Sequence, residues 1–288
     1  MVSRAGILFM HLLARLPLAP VRALGWALGQ LLYLVVLPRR RVVHANLALC
    51  FPGWSRARRK AVARGVFVRV AQAWLDRGWL WHGEPALVRR RLRLTGAVQE
   101  LEGTAPTVVF APHFVGMDAG WTAITQQLQR PFVGIYTRQS NAVLDAWILA
   151  GRQRFASRGP FSRADGVRSL VAALRRGEPL YLLPDMNFGP EESIFVPFYG
   201  VPAATVPSLA RFARLGRAKV VPLLTRLVPG GYEVQVLPAW TDFPTDDLVA
   251  DTALMNLRMQ GWIDAMPEQY YWVHKRFKSR PEGAPPVY

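Results

Sequence analysis

Apolar positions fall into three patterns along this chain. Residues 6–37 form an apolar run broken by His11, Arg15, Pro17, Pro20 and Arg22, and its cleanest part, 23–37, carries no charge. That part is shorter than the roughly 20 residues that span a bilayer unaided. It is therefore expected to be a membrane helix that crosses or lies in the surface, with a buried helical hairpin as the alternative. No small-x-small cleavage site follows; Pro38-Arg39-Arg40-Arg41 does, which argues that the following chain stays on the cytoplasmic side. Over 55–81, Val62, Val66, Val70 and Trp74 recur at helical spacing, with arginine and lysine on much of the other face. Beyond Gly103, strand-like runs at 107–111, 132–136, 180–184, 219–224 and 232–237 alternate with helical patterns. These helices are expected at 118–128, 142–155, 166–175, 205–215 and 247–266. Such alternation predicts an α/β fold, a mixed and largely parallel sheet flanked by helices. The expected organisation is an N-terminal membrane-associated segment, 1–44, followed by one domain, 45–288.

Charge narrows the partners. Lys and Arg number 36 against 19 Asp and Glu, a formal net charge of +17. Such a field draws in anionic surfaces: nucleic acid, an acidic membrane or an acidic protein. Aromatic and basic residues do not interleave on any strand-like run, which argues against a nucleic-acid stacking platform. Cys50 is the only cysteine, so an intrachain disulfide and a multi-cysteine zinc site are excluded. The five histidines are far apart and no carboxylates cluster at ligand spacing, so no metal site is expected. A Gly-x-Ser-x-Gly elbow, a Walker A loop and a Gly-x-Gly-x-x-Gly fingerprint are all missing, which removes the usual serine-hydrolase and nucleotide signatures.

The chemistry-bearing feature is His113-Phe114-Val115-Gly116-Met117-Asp118, between the run 107–111 and the helix expected after it. A histidine on the turn and a carboxylate in the first helical turn can act as general base and orienting anion. The same residues equally describe a core histidine followed by a carboxylate at a helix N-terminus. With no protein nucleophile in sight, direct attack by a bound substrate hydroxyl is the simplest reaction for such a base.

Further blocks follow in order: Arg41-Val42-Val43-His44-Ala45-Asn46-Leu47, Cys50-Phe51-Pro52, Tyr136-Thr137-Arg138, Leu144-Asp145 and Gly151-Arg152. Then come Pro184-Asp185-Met186-Asn187-Phe188-Gly189-Pro190, Phe195 to Gly200, and Pro267 to Lys278. Together with His113–Asp118 they resemble the bacterial lipid A biosynthesis acyltransferases, the lauroyl/myristoyl transferase family, over about residues 30 to 282. The resemblance implies a glycerolipid acyltransferase-like fold with an N-terminal apolar membrane helix, at the cytoplasmic face of the bacterial inner membrane. It implies transfer of a fatty acyl chain from acyl carrier protein to a hydroxyl of a lipid A precursor or related glycolipid. It also implies a phosphopantetheine thioester as donor and no bound cofactor. On this reading His113 is the base and Asp118 orients it, without a covalent enzyme intermediate. Arg152 matches a functional family arginine suited to a substrate phosphate, and Asp185 and Arg138 support the site. The basic residues Arg89, Arg90, Arg91, Lys275, Arg276 and Lys278 are candidate contacts to the acidic carrier, the membrane or the acceptor, with no nucleic acid involved.

Two departures stand out. The family usually has glutamate where this chain has Asp118, and Pro-Asp-His-Asp where it has Pro184-Asp185-Met186-Asn187. They keep a lysophospholipid or other lipid O-acyltransferase as an alternative. A non-catalytic basic membrane- or nucleic-acid-binding protein is a further one, although it leaves the ordered blocks unexplained.

Overall fold

The structure, a computed structural model, describes residues 4–156, 161–162 and 166–288. Helices α1 (Arg4–Leu13), α2 (Leu18–Val35), α3 (Leu37–Cys50), α4 (Arg56–His82) and α5 (Pro85–Arg91) precede the first strand. Residue 44 therefore lies inside α3, and the N-terminal helices are packed onto the body. Pro17 stands at the cap of α2 and Pro20 in its first turn, where a missing N–H costs nothing. Arg22 does not interrupt the apolar face; it turns inward and pairs with buried Asp76 at 2.9 Å.

Helix α2 is long and apolar enough to cross a membrane, with a mean hydropathy of 1.3. One of its faces, through Val21, Gly25, Gly29 and Tyr33, is buried. The opposite face leaves Leu24, Trp26, Leu31, Leu34 and Val35 between 42% and 60% exposed. The buried face packs on α4 at backbone distance: a Cβ on Gly29 would lie 2.4 Å from Val68 Cα. Gly29→Ala is therefore expected to destabilise the protein by about 1–3 kcal/mol through overpacking. Gly261→Ala, whose added Cβ would meet no atom within 4 Å, should leave the denaturation midpoint level or raised. Equal midpoints for the two variants in detergent would contradict this close packing.

The body is the expected sheet. Its strands are β1 (Leu92–Gly96), β2 (Thr107–Phe110), β3 (Val133–Tyr136), β4 (Phe161–Ser162), β5 (Leu180–Leu182), β8 (Lys219–Val228) and β9 (Gly231–Val236). Their order is β1-β9-β8-β2-β5-β3-β4, all neighbours parallel except the β8–β9 hairpin. A separate antiparallel hairpin joins β6 (Ile194–Phe198) to β7 (Val201–Thr205). Helices α6 (Met117–Gln127), α7 (Ala142–Gln153), α8 (Gly166–Arg175), α9 (Ser208–Gly216) and α10 (Leu248–Ala265) complete the chain. Every residue of β2 is buried, as befits a central strand covered on both faces.

Candidate functional site

Parallel pairing of β2 with β5 sets Phe110 opposite Leu182. Three residues beyond each lie His113 and Asp185, so the two arrive together at the carboxyl ends of neighbouring strands. That is where open α/β sheets place their ligands. The His113 Nδ1 stands 2.7 Å from Asp185 Oδ1, and the His113 backbone N–H donates to the same carboxylate. The Tyr270 hydroxyl donates to Asp185 Oδ2 at 3.0 Å. Burial alone would raise the Asp185 pKa, but the His113 charge, these hydrogen bonds and the Tyr270 hydroxyl hold it below the ordinary carboxylate value. An ionised carboxylate only accepts, so His113 Nδ1 must carry the proton. The other ring nitrogen, Nε2, makes no hydrogen bond to any described residue.

The turn itself is held by a segment far along the chain. Val115 N–H donates to the Gln269 carbonyl, and Tyr271 N–H donates to the His113 carbonyl. Phe114 and Tyr270 form an isolated antiparallel bridge, with their rings in T-shaped contact. The tyrosine-rich block near the C-terminus thus clamps the histidine turn from one side while Asp185 holds it from the other.

Asp118 is placed differently from the expectation that it orients the imidazole. Helix α6 opens at Met117, and the carboxylate in its first turn points between α4 and α7. There Arg77 Nη2 lies 2.7 Å and Arg152 Nε 2.8 Å from its oxygens. The residue that bonds the ring is Asp185. Burial would raise the Asp118 pKa; Arg152 and Arg77 overcome it and hold the group at about 2. Arg77 also stacks on Trp74 and Trp81. It escaped sequence reasoning, although Asp76-Arg77 inside a tryptophan-rich helix is itself a signal, since charges buried there need partners.

His113, Asp118 and Arg152 line one cavity of about 450 Å³. Away from them its wall is largely apolar, including Leu170, Leu182, Leu183, Phe188, Phe212 and Leu215. Arg138 is not in that wall. Its side chain is 85% exposed and stands 3.9 Å from Asp145, while its neighbours Thr137 and Gln139 line the cavity.

The basic candidates divide sharply. Arg89, Arg90, Lys275 and Lys278 are exposed. Arg91 is half-buried against Trp79. Arg276 is 2% exposed and donates to the Ala204 carbonyl and the Thr205 hydroxyl, so it ties the C-terminal block to β7. That position corrects its expected role as a partner contact: its charge is spent on structure. Asn187, which stands at the second aspartate of the Pro-Asp-His-Asp pattern, is also structural here. Its backbone N–H donates to His274 Nε2 at 3.0 Å, and burial, with the Arg276 charge, pushes the His274 pKa down to about 4. Cys50 is buried in the core and its thiol pKa is pushed up by burial, which makes it a packing residue.

An α/β sheet with a held histidine at its carboxyl edge and an apolar cavity beside it is the arrangement of a candidate enzyme site. Sequence comparison makes the class specific. The pattern describing the bacterial lipid A biosynthesis acyltransferases matches residues 1–279. The chain belongs to that family. It is 31% identical over 289 residues to the lipid A biosynthesis lauroyltransferase of Escherichia coli (strain K12), covering 98% of this chain and 93% of that one. The lipid A biosynthesis myristoyltransferase of the same organism is 31% identical over 250 residues, 85% of this chain and 76% of the relative. A solved 1-acyl-sn-glycerophosphate acyltransferase from Thermotoga maritima aligns over 85% of this chain and 97% of that chain, with a TM-score of 0.40 and 11% identity.

Proposed function

We propose that this acyltransferase moves a fatty acyl group from acyl carrier protein to a hydroxyl of a lipid A precursor, with His113 as base and Asp185 as its orienting carboxylate. The observation that carries this is the 2.7 Å Nδ1 contact to buried Asp185, which leaves Nε2 as the ring nitrogen open to a substrate at the largely apolar cavity. His113 Nε2 takes the proton of the acceptor hydroxyl, whose oxygen attacks the thioester carbonyl. The tetrahedral intermediate collapses, the C–S bond breaks, and the imidazolium returns its proton to the leaving thiolate. Asp185 stabilises the imidazolium throughout. Asp118 acts at one remove: it fixes Arg152 and Arg77, two cations to one anion. Of the two, Arg152 lines the cavity, where its guanidinium suits a substrate phosphate.

The cavity wall suits the acyl tail. Gly134 lines it with no side chain, and an added Cβ would already touch the Trp121 ring at 3.4 Å. Filling this wall with Gly134→Leu or Leu170→Trp is expected to shorten the preferred acyl chain, measured by product mass spectrometry from mixed acyl donors. An unchanged chain-length distribution in both variants would remove the cavity from the acyl role.

The exposed apolar faces of α1 and α2 and the net charge of +17 support attachment to a membrane at the bacterial cytoplasmic face. Residues 1–44 would be its membrane-associated part. The acidic carrier would meet exposed lysines such as Lys275 and Lys278. The test is incubation of the purified enzyme with acyl carrier protein thioesters, matching acyl-CoA, a lipid A precursor and a lysophospholipid. Acylation of the lipid A precursor from the carrier thioester is expected; transfer only to the lysophospholipid, or only from CoA, would overturn the acceptor or donor assignment.

A further inference from the structure

A second cavity, of about 570 Å³, shares no lining residue with the first. Its walls come from the first turns of α2 (Leu18, Ala19, Arg22), from Arg69 and Gln72 on α4, from the end of α5 and from the β8–β9 turn. Four of its lining residues, Arg22, Arg69, Arg90 and Arg91, are arginines, and no carboxylate lines it. Two of the four are partly answered. Arg22 pairs with Asp76 behind the wall, and Arg69 bonds Gln72 and stands 3.9 Å from Glu268. The other two are not. Arg90 has no ion pair or side-chain hydrogen bond with a described residue, and Arg91 Nη1 is buried without a hydrogen-bond partner. A buried donor left unpaired is costly, more so when charged, so an anion that Arg91 could donate to would be bound favourably here. Burial, with the Arg90 and Arg22 charges, pushes the Arg91 pKa down, although Asp76 opposes them.

We infer that this cleft binds a phosphate group, and that a lipid headgroup presents it. Arginine forks match phosphate oxygens in pairs, and one anion would answer the cations that protein carboxylates leave unmatched. Position supports the lipid source. The cleft is walled by the start of α2, between exposed Leu16 and Leu24, on the helix whose outer face is apolar. A phosphate at the membrane surface would meet these arginines while the neighbouring leucines entered the acyl layer. The cleft would fix how the enzyme sits on the membrane. This inference does not rest on the assignment of donor, acceptor or base.

The test measures thermal unfolding in neutral detergent at constant ionic strength. Dihexanoylphosphatidic acid, dihexanoylphosphatidylcholine and inorganic phosphate are titrated against wild type, Arg69→Gln/Arg90→Gln and the charge-matched Lys275→Gln/Lys278→Gln. Phosphatidic acid should raise the Tm of wild type and of the lysine variant by about 5 °C at a hundredfold excess over Kd. The arginine variant should need at least tenfold more lipid for the same shift. If it does not fold, Arg90→Gln alone, at an exposed side chain, takes its place. An equal arginine-dependent shift with inorganic phosphate would keep the phosphate site and reject the lipid source. Shifts that are absent, or the same in all three proteins, would overturn the proposal.

Discussion

Asp185→Asn and His113→Ala are each expected to lower kcat at least about a hundredfold, with KM for the lipid acceptor close to wild type in Asp185→Asn. The carboxylate accepts hydrogen bonds from the His113 ring, the His113 backbone and the Tyr270 hydroxyl. An amide keeps one acceptor oxygen and turns a donor toward the rest. The ring can then hold its proton on Nε2, the position that must be bare to receive one from the substrate. The amide is isosteric with the carboxylate, so folding should survive and the loss should sit in kcat. Steady-state kinetics on the folded variant decide it: activity within threefold of wild type would remove Asp185 from the role of orienting anion.

Asp118→Asn is expected to act through stability instead, at about 3–5 kcal/mol, because it leaves Arg77 and Arg152 buried around a neutral group. Denaturant midpoints measure this directly. The wild-type acid profile gives an independent check. The folded pKa of Asp118 is about 2 against an ordinary 3.8, so its contribution is fully present above the unfolded value and fades as pH falls through about 2. The depression corresponds to about 2 kcal/mol that the variant cannot lose. Acid unfolding of wild type should therefore be steeper in this range than that of Asp118→Asn. If the variant kept full stability but lost kcat at least about a hundredfold, Asp118 would be the orienting carboxylate after all.

The contrast between these carboxylates shows what could be read from the sequence. The alternating runs located five sheet strands, and the histidine turn and Pro184-Asp185 were visible as polar residues after apolar runs. Which carboxylate meets the ring depends on the Phe110–Leu182 register, a pairing between segments far apart that no local pattern encodes. Strand β1 was hidden because Arg89 to Arg93 reads as a charged surface; in fact Leu92 is buried while Arg93 faces out beside Glu233. The β6–β7 hairpin was masked by Pro197 and Pro202, which face each other across it. Arg22 and Arg276 look like surface charges in sequence. Their partners, Asp76, Ala204 and Thr205, are remote, so their burial had no local signature.

The clamp on the histidine turn also ties the birth of the site to the order of synthesis. His113 and Asp185 leave the ribosome well before Gln269, Tyr270 and Tyr271, whose backbone and hydroxyl groups hold them. The parallel strands can pair earlier, yet the base is braced on one side only until that late segment docks. Until then the Val115 N–H, the His113 carbonyl and one oxygen of Asp185 lack the partners that the finished fold gives them.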